Sequence, residues 1–203
     1  MEKQKKRNLF QYGIFAVLAI TLYITGLHTE VIGFAQRGLL ATGLMNPNVE
    51  EITQMRNNKN ETTTLQDFKQ ADFNLKLIDE NGTLKSFADF KGKVIFMNLW
   101  ATWCPPCVAE MPNIAKLHKE MGDEVAFVML SFDQDFDNAK DFKKRKGYDL
   151  PIYAPASNLP KMFQSSALPT TYIIDTGGNL VLIHRGMADY SDQEFKNFLN
   201  SLK

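Results

Sequence analysis

Apolar residues fall along the 203-residue chain in three different patterns. The first is continuous: the 19 residues from Leu9 to Leu27 carry no charge and follow Lys3, Lys5, Lys6 and Arg7. At 1.5 Å per helical residue this run is just long enough to cross a hydrocarbon core of ~30 Å. The basic cluster before it, against only His28, Glu30 and then Arg37 after it, places the N-terminus in the cytoplasm and the remainder outside. A cleaved signal peptide shares this charge layout but has a shorter apolar region and a small-residue cleavage site. Ala41-Thr42-Gly43 is a poor candidate for one, so an uncleaved anchor over residues 1–30 is favoured.

The second pattern is weak. Residues 31–66 read as a juxtamembrane connector, in which Val31 to Leu44 is moderately apolar, punctuated by glycine, and predicts a short helix near the membrane surface. From Asn46 to Thr64 the chain is polar and no packed core is evident. Asn60-Glu61-Thr62 fits a glycosylation acceptor by pattern, as triplets in polar tethers often do by chance.

The third pattern alternates short apolar runs with turn signals and amphipathic stretches, and it fills residues 67–203, enough for one domain with a proper core. Phe73 to Ile78 and Leu84 to Phe87 flank Glu80-Asn81-Gly82-Thr83 and predict a hairpin. Val94 to Trp100 and Val125 to Phe132 read as buried strands, each followed by a helix; the second helix spans Phe136 to Lys146. Pro151 to Ala154 is a short extended piece and Asn158 to Gln164 a short helix. Thr170 to Ile174 and Leu180 to His184 flank the hairpin loop Asp175-Thr176-Gly177-Gly178-Asn179. Ser191 to Leu202 closes the chain as a helix, with Ser191 and Glu194 as a capping box. This order predicts an α/β domain, a mixed sheet with helices on both faces.

Composition changes this picture little. Lys and Arg total 23 against 23 Asp and Glu, so a nucleic-acid partner finds no support. Lys143-Lys144-Arg145-Lys146 reads as a solvated helix face. The chemistry lies in the cysteines. There are two, Cys104 and Cys107, separated by Pro105 and Pro106 and preceded by Trp103. They sit where a buried strand turns into a helix whose apolar positions include Met111, Ile114 and Leu117. A thiol there faces unpaired backbone amides and the positive end of the helix dipole, both of which favour thiolate. A structural zinc needs about four ligands, and His28, His118 and His184 are scattered without ligand spacing. A purely structural disulfide over so short a loop removes little chain entropy. Both cysteines on the exported side point to a redox-active pair in a disulfide-permissive compartment.

The run Asn98-Leu99-Trp100-Ala101-Thr102-Trp103-Cys104-Pro105-Pro106-Cys107-Val108-Ala109-Glu110-Met111-Pro112, with Leu168-Pro169-Thr170-Thr171 downstream, resembles the thioredoxin superfamily. Within it the chain resembles the membrane-anchored TlpA/ResA-like thiol-disulfide oxidoreductases, from about residue 68 to 203. The resemblance implies a thioredoxin fold with an extra N-terminal hairpin, and a redox-active Cys104–Cys107 disulfide with no cofactor. Cys104 is the expected nucleophile and Cys107 the residue that resolves the mixed disulfide. Trp103 lines the approach or simply packs, while Leu168 and Pro169 form a loop with a cis peptide bond that offers backbone to an extended substrate. Thioredoxins commonly carry an acid at the position of Asn98, and Glu110 is expected to supply it. On the helix Glu110 lies about 60° from Cys107, and partial desolvation there would raise its pKa; the alternative is a surface or snorkelling Glu at the helix flank. Pro112 matches a helix-kink position. The implied partners are disulfide-bearing exported proteins, an apocytochrome or another client, and a membrane thiol carrier as electron donor. An oxidase or isomerase, or a copper-delivery module, are the alternatives. A peroxiredoxin is disfavoured because Ala101 stands where that family wants Thr or Ser.

Overall fold

The strand Val94–Trp100 (β3) is buried along its whole length, and its side chains divide by parity. Val94, Phe96 and Trp100 enter one apolar cluster, and Ile95, Met97 and Leu99 enter another, as the period of two in a pleated strand requires. A strand covered on both faces reads as a continuous apolar run, which is how it stands in the sequence. The computed structural model of the chain describes residues 2–24, 27–40, 42–43, 45–47, 49 and 69–203. Around β3 lie the strands Lys76–Asp79 (β1), Leu84–Ser86 (β2), Val125–Ser131 (β4), Ile152–Pro155 (β5), Thr170–Ile174 (β6) and Leu180–Arg185 (β7). Among the described residues they form one sheet in the order β2-β1-β5-β4-β3-β6-β7. β3, β4 and β5 run parallel; the two outer hairpins, β1–β2 and β6–β7, join by antiparallel pairing to β5 and β3.

The helices of more than one turn among the described residues are Glu2–Ile24 (α1), Leu27–Leu40 (α2), Pro105–Met121 (α3), Phe136–Lys146 (α4) and Gln193–Ser201 (α5). The crossovers β3–α3–β4 and β4–α4–β5 step the same way across the sheet, so right-handed connections place both helices on one face. Met111 and Ile114 of α3, Phe142 of α4 and Phe198 of α5 accordingly share a single core. Among the described residues no α-helix joins the opposite core, against the expectation of helices on both faces. The opposite face is covered by Ala71 to Leu75 and two 3-10 turns, Phe87–Phe90 and Lys161–Phe163, with Phe87 and Phe163 fully buried. The helix expected over Asn158 to Gln164 shrinks to the second of these turns. Pro160 withholds an amide there, and the chain must reach β6 on the far side of β3.

Two local expectations are also revised. α5 is capped by Asp192, whose Oδ1 accepts from the Phe195 amide at 2.6 Å, while the Ser191 hydroxyl donates to Asp189 at 2.8 Å. Aspartate caps as well as serine does, and Asp189 captures the serine, so no Ser191–Glu194 box forms. The basic run of α4 is not merely solvated. Lys143 pairs with Glu80 at 2.6 Å and Lys146 with Glu30 of α2 at 2.7 Å.

The N-terminal region differs most from its pattern. The uncharged run is divided, since α1 ends at Ile24 and α2 begins at Leu27. Among the described residues no single helix is long and apolar enough to cross a membrane. Phe10–Tyr23 and His28–Leu40 reach that length and composition only as a pair, bent by 92°. Nor is residue 31 onward a free connector. Leu40 packs with Ala109 and Met187, the Asn46 amide donates to Asp192 at 2.7 Å, and Val49 is buried in the main core. The inward residues of α2 include Thr29 and Gly33, which give no apolar stripe to read. Residues 50–68, with Asn60-Glu61-Thr62 and the expected domain boundary, lie outside the described residues.

Candidate active site

At the C-terminal end of β3 the chain turns through Ala101 to Trp103 into α3, and an acid on the neighbouring strand end fixes that turn. Asp133 accepts the Thr102 amide at 3.2 Å and the Thr102 hydroxyl at 2.5 Å, and its second oxygen accepts the Ser131 hydroxyl at 2.8 Å. The sequence reading did not single out Asp133, because its role depends on β4 lying beside β3. Asp133→Ala is expected to lower unfolding free energy by roughly 1–3 kcal/mol, read as a lower denaturant midpoint at unchanged m-value. Asp133→Asn, which keeps one acceptor, should recover part of the loss. A midpoint unmoved by the alanine change would remove Asp133 from this role.

Cys104 is the N-cap of α3, and Pro105 and Pro106 occupy its first two positions. Those positions would each present an unpaired amide, but proline has none. The first free amide of the helix is therefore that of Cys107, and it points at the Cys104 sulfur, 3.3 Å away. The two sulfurs form a disulfide across Cα atoms 5.3 Å apart. Cys104 keeps 5% of its surface exposed and Cys107 none, so of the two only the first cysteine meets solvent.

Beside the disulfide lies a groove of 1260 Å³, lined by Leu99, Trp103, Phe132, Leu168 and the polar side chains of Ser157 and Asn158. Trp103 is 58% exposed and stands at the groove rather than in the core. The Leu168–Pro169 peptide bond is cis. The Pro169 carbonyl accepts from the Gly186 amide at 3.0 Å, which leaves Leu168 as the member of the pair that reaches the groove.

Glu110 lies on the other side of β3, one helical turn beyond Cys107, and is completely buried. Its carboxylate accepts from the Asn98 side-chain amide at 2.9 Å and from the Ala188 backbone amide at 3.1 Å. Burial pushes its carboxyl up to about 8, against those two donated hydrogen bonds. Asn98 also donates to Thr171 at 2.9 Å, and Tyr190 donates to the same hydroxyl at 2.8 Å. Thr171 faces Asn98 through the β3–β6 register, and only strand pairing reveals that contact. The structure thus brings Trp103 and Leu168 to one groove, next in the chain to Cys104, with Cys107 buried behind it in the disulfide. Glu110 stands behind the pair, under the helix that carries it, and is no surface residue. A dithiol–disulfide pair with one reachable sulfur, beside a groove and a buried proton-holding group, can exchange disulfides with a polypeptide.

Comparison with known proteins agrees with this geometry. The Redoxin family profile matches residues 56–202. The chain is 37% identical over 136 residues to the thioredoxin-like protein YneN of Bacillus subtilis, covering 65% of this chain and 79% of that one. It is 30% identical over 129 residues to the thiol-disulfide oxidoreductase ResA of Halalkalibacterium halodurans, covering 62% and 73%. Among solved structures, a putative thiol-disulfide oxidoreductase from Bacteroides vulgatus superposes with a TM-score of 0.53 at 30% identity, over 63% of this chain and 91% of that one. The chain belongs to the Redoxin family and is a TlpA/ResA-like thiol-disulfide oxidoreductase of the thioredoxin superfamily.

Proposed function

We propose that this oxidoreductase is tethered to the cell membrane and reduces disulfides of exported proteins through Cys104-Pro105-Pro106-Cys107. The observation that carries the reading is the pair of cysteines with one sulfur reachable beside an open, uncharged groove. In this reading Cys104 attacks, Cys107 resolves and Glu110 holds the proton of the pair. Trp103, Leu168 and Pro169 shape the seat of an extended client segment. The redox-active disulfide suffices without a further cofactor, and electrons come from a membrane thiol carrier. Residues 1–30 form the cytoplasmic N-terminus and anchor, 31–66 a juxtamembrane connector that docks on the domain through Leu40, Asn46 and Val49, and 67–203 the catalytic domain, outside the membrane.

Support for the anchor comes from α1 itself. Phe10, Tyr12, Phe15, Val17 and Tyr23 are 64–74% exposed, a surface that water solvates poorly and lipid well. The uncharged part of α1, Leu9 to Ile24, rises only ~24 Å. Local thinning of the bilayer and snorkelling of Arg7 accommodate a span that short. Direction is tested by the state of the pair in growing cells. Acid-quenched cells treated with a mass-tagged alkylating reagent should show Cys104 and Cys107 mostly as thiols. A pair found mostly as disulfide would reverse the direction to oxidation.

A further inference from the structure

α2 presents two unlike faces. Taking 100° per residue, Thr29, Gly33 and Leu40 point one way and are buried. Val31, Ile32, Phe34, Ala35, Gly38 and Leu39 fill the opposite arc of about 160° and are exposed without a charge among them. Val31 is 55%, Ile32 46%, Phe34 73% and Leu39 56% exposed. The buried face sits on the catalytic helix. A Cβ placed on Gly33 would lie 3.0 Å from the Pro105 carbonyl oxygen and 3.3 Å from Val108, so glycine there lets α2 lie against the turn that carries the cysteines. Glu30 adds the ion pair to Lys146.

We infer that the exposed face of α2 lies in the lipid headgroup region, so that this helix straps the active-site turn to the bilayer surface. The inference rests on the anchor reading above and deepens it. The occupant follows from continuity, since α1 ends at Ile24 and α2 begins at Leu27. With a bend of 92° between them, a helix leaving the membrane along its normal is followed by one lying in its plane. Tyr23 and His28 stack across the break at 5.3 Å, and tyrosine at a helix end is at home at headgroup level. A charge-free apolar arc, bounded on one edge by Glu30 and Arg37 and on the other by the uncharged Gln36, resembles that of an in-plane helix, which sinks ~5–10 Å into the boundary. Helices in contact lie ~8–10 Å apart, so the Cys104 turn stands about one helix diameter above the lipid. A donor whose reactive group stays at the membrane surface can then reach the disulfide without leaving the membrane.

The test uses the full chain in phosphatidylcholine–phosphatidylglycerol vesicles, with the native cysteines held in their disulfide so that one introduced thiol carries an NBD fluorophore. Phe34→Cys reports the outer face of α2, Phe15→Cys reports α1 and Leu84→Cys, 60% exposed on β2, reports water. The label at 34 should be quenched by a shallow nitroxide lipid and shielded from aqueous iodide at least several-fold relative to the label at 84. If 15 is quenched by nitroxide lipid while 34 responds to iodide as 84 does, the strap is overturned and the anchor stands. If 34 is shielded from both quenchers, a protein covers the face and the lipid assignment is overturned. If 15 also behaves as 84 does, the anchor reading fails and takes the strap with it.

Discussion

Cys104→Ser is expected to bring disulfide exchange down to the uncatalysed background, while Cys107→Ser should keep the first attack and stop there with the client bound. The asymmetry follows from reach. Only Cys104 retains exposed surface, and in the reduced protein the Cys107 amide aimed at its sulfur stabilises negative charge on it. Its thiolate attacks one client sulfur, forming a Cys104–client disulfide and releasing the other client sulfur as thiolate. Cys107 then attacks the Cys104 sulfur, the second client thiol leaves, and two electrons have passed from the dithiol to the client. Non-reducing electrophoresis of Cys107→Ser with a disulfide-bonded protein should show the covalent adduct, and Cys104→Ser should show none. Faster alkylation of Cys107 than of Cys104 in the reduced enzyme would invert the roles.

The second large effect is expected at Glu110. Glu110→Gln keeps the shape and one acceptor but cannot give or take a proton. General acid–base assistance contributes ~10²–10⁴ in rate, so resolution of the mixed disulfide should slow by that order, with the first attack little changed. The pH–rate profile of resolution should also lose an inflection in the neutral to mildly alkaline range. Stability supplies an independent readout. Glu110 titrates near 8 in the fold against an ordinary value of 4.5, so between these limits the folded chain holds a proton that the unfolded chain releases. Its contribution to stability is complete below 4.5 and is lost as pH rises through 8. Across that window the wild type should weaken relative to Glu110→Gln by at most about 1.4 kcal/mol per pH unit. Equal resolution rates and parallel stability curves would show that Glu110 handles no proton.

Much of the domain was legible because its elements are locally specified. Val94–Trp100, Phe136–Lys146 and Thr170–Ile174 stand where their patterns put them, each bounded by turn or cap residues that the neighbouring chain does not contradict. The cysteine motif was legible for the same reason, since a strand end, two prolines and a helix start are adjacent in sequence. What escaped were consequences of pairing. Asp133, Thr171 and Tyr190 acquire their contacts only when β4 and β6 flank β3. The docking of α2 escaped because its inward face is built of glycine and threonine, which carry no hydrophobic signal. Partial desolvation of Glu110 was legible from its place among Met111, Ile114 and Leu117, but its complete burial and its hydrogen-bond partners were not.

The parity of β3 also separates two tasks by a single residue. Asn98 points toward α3 and joins Glu110, Thr171 and Tyr190. Leu99 points the other way and forms part of the groove wall with Leu168 and Phe132. The buried polar cluster around Glu110 is therefore built on one side of the sheet, the side of α3 and the cysteines, and the groove wall at Leu99 on the other. The segment between β5 and β6 lines the groove and holds only one short turn. Apart from the buried Phe163, it can accept insertions and substitutions as surface loops generally do while the buried polar group behind the cysteines stays untouched. A scaffold divided in this way can change its clientele through one loop while its chemistry is inherited intact.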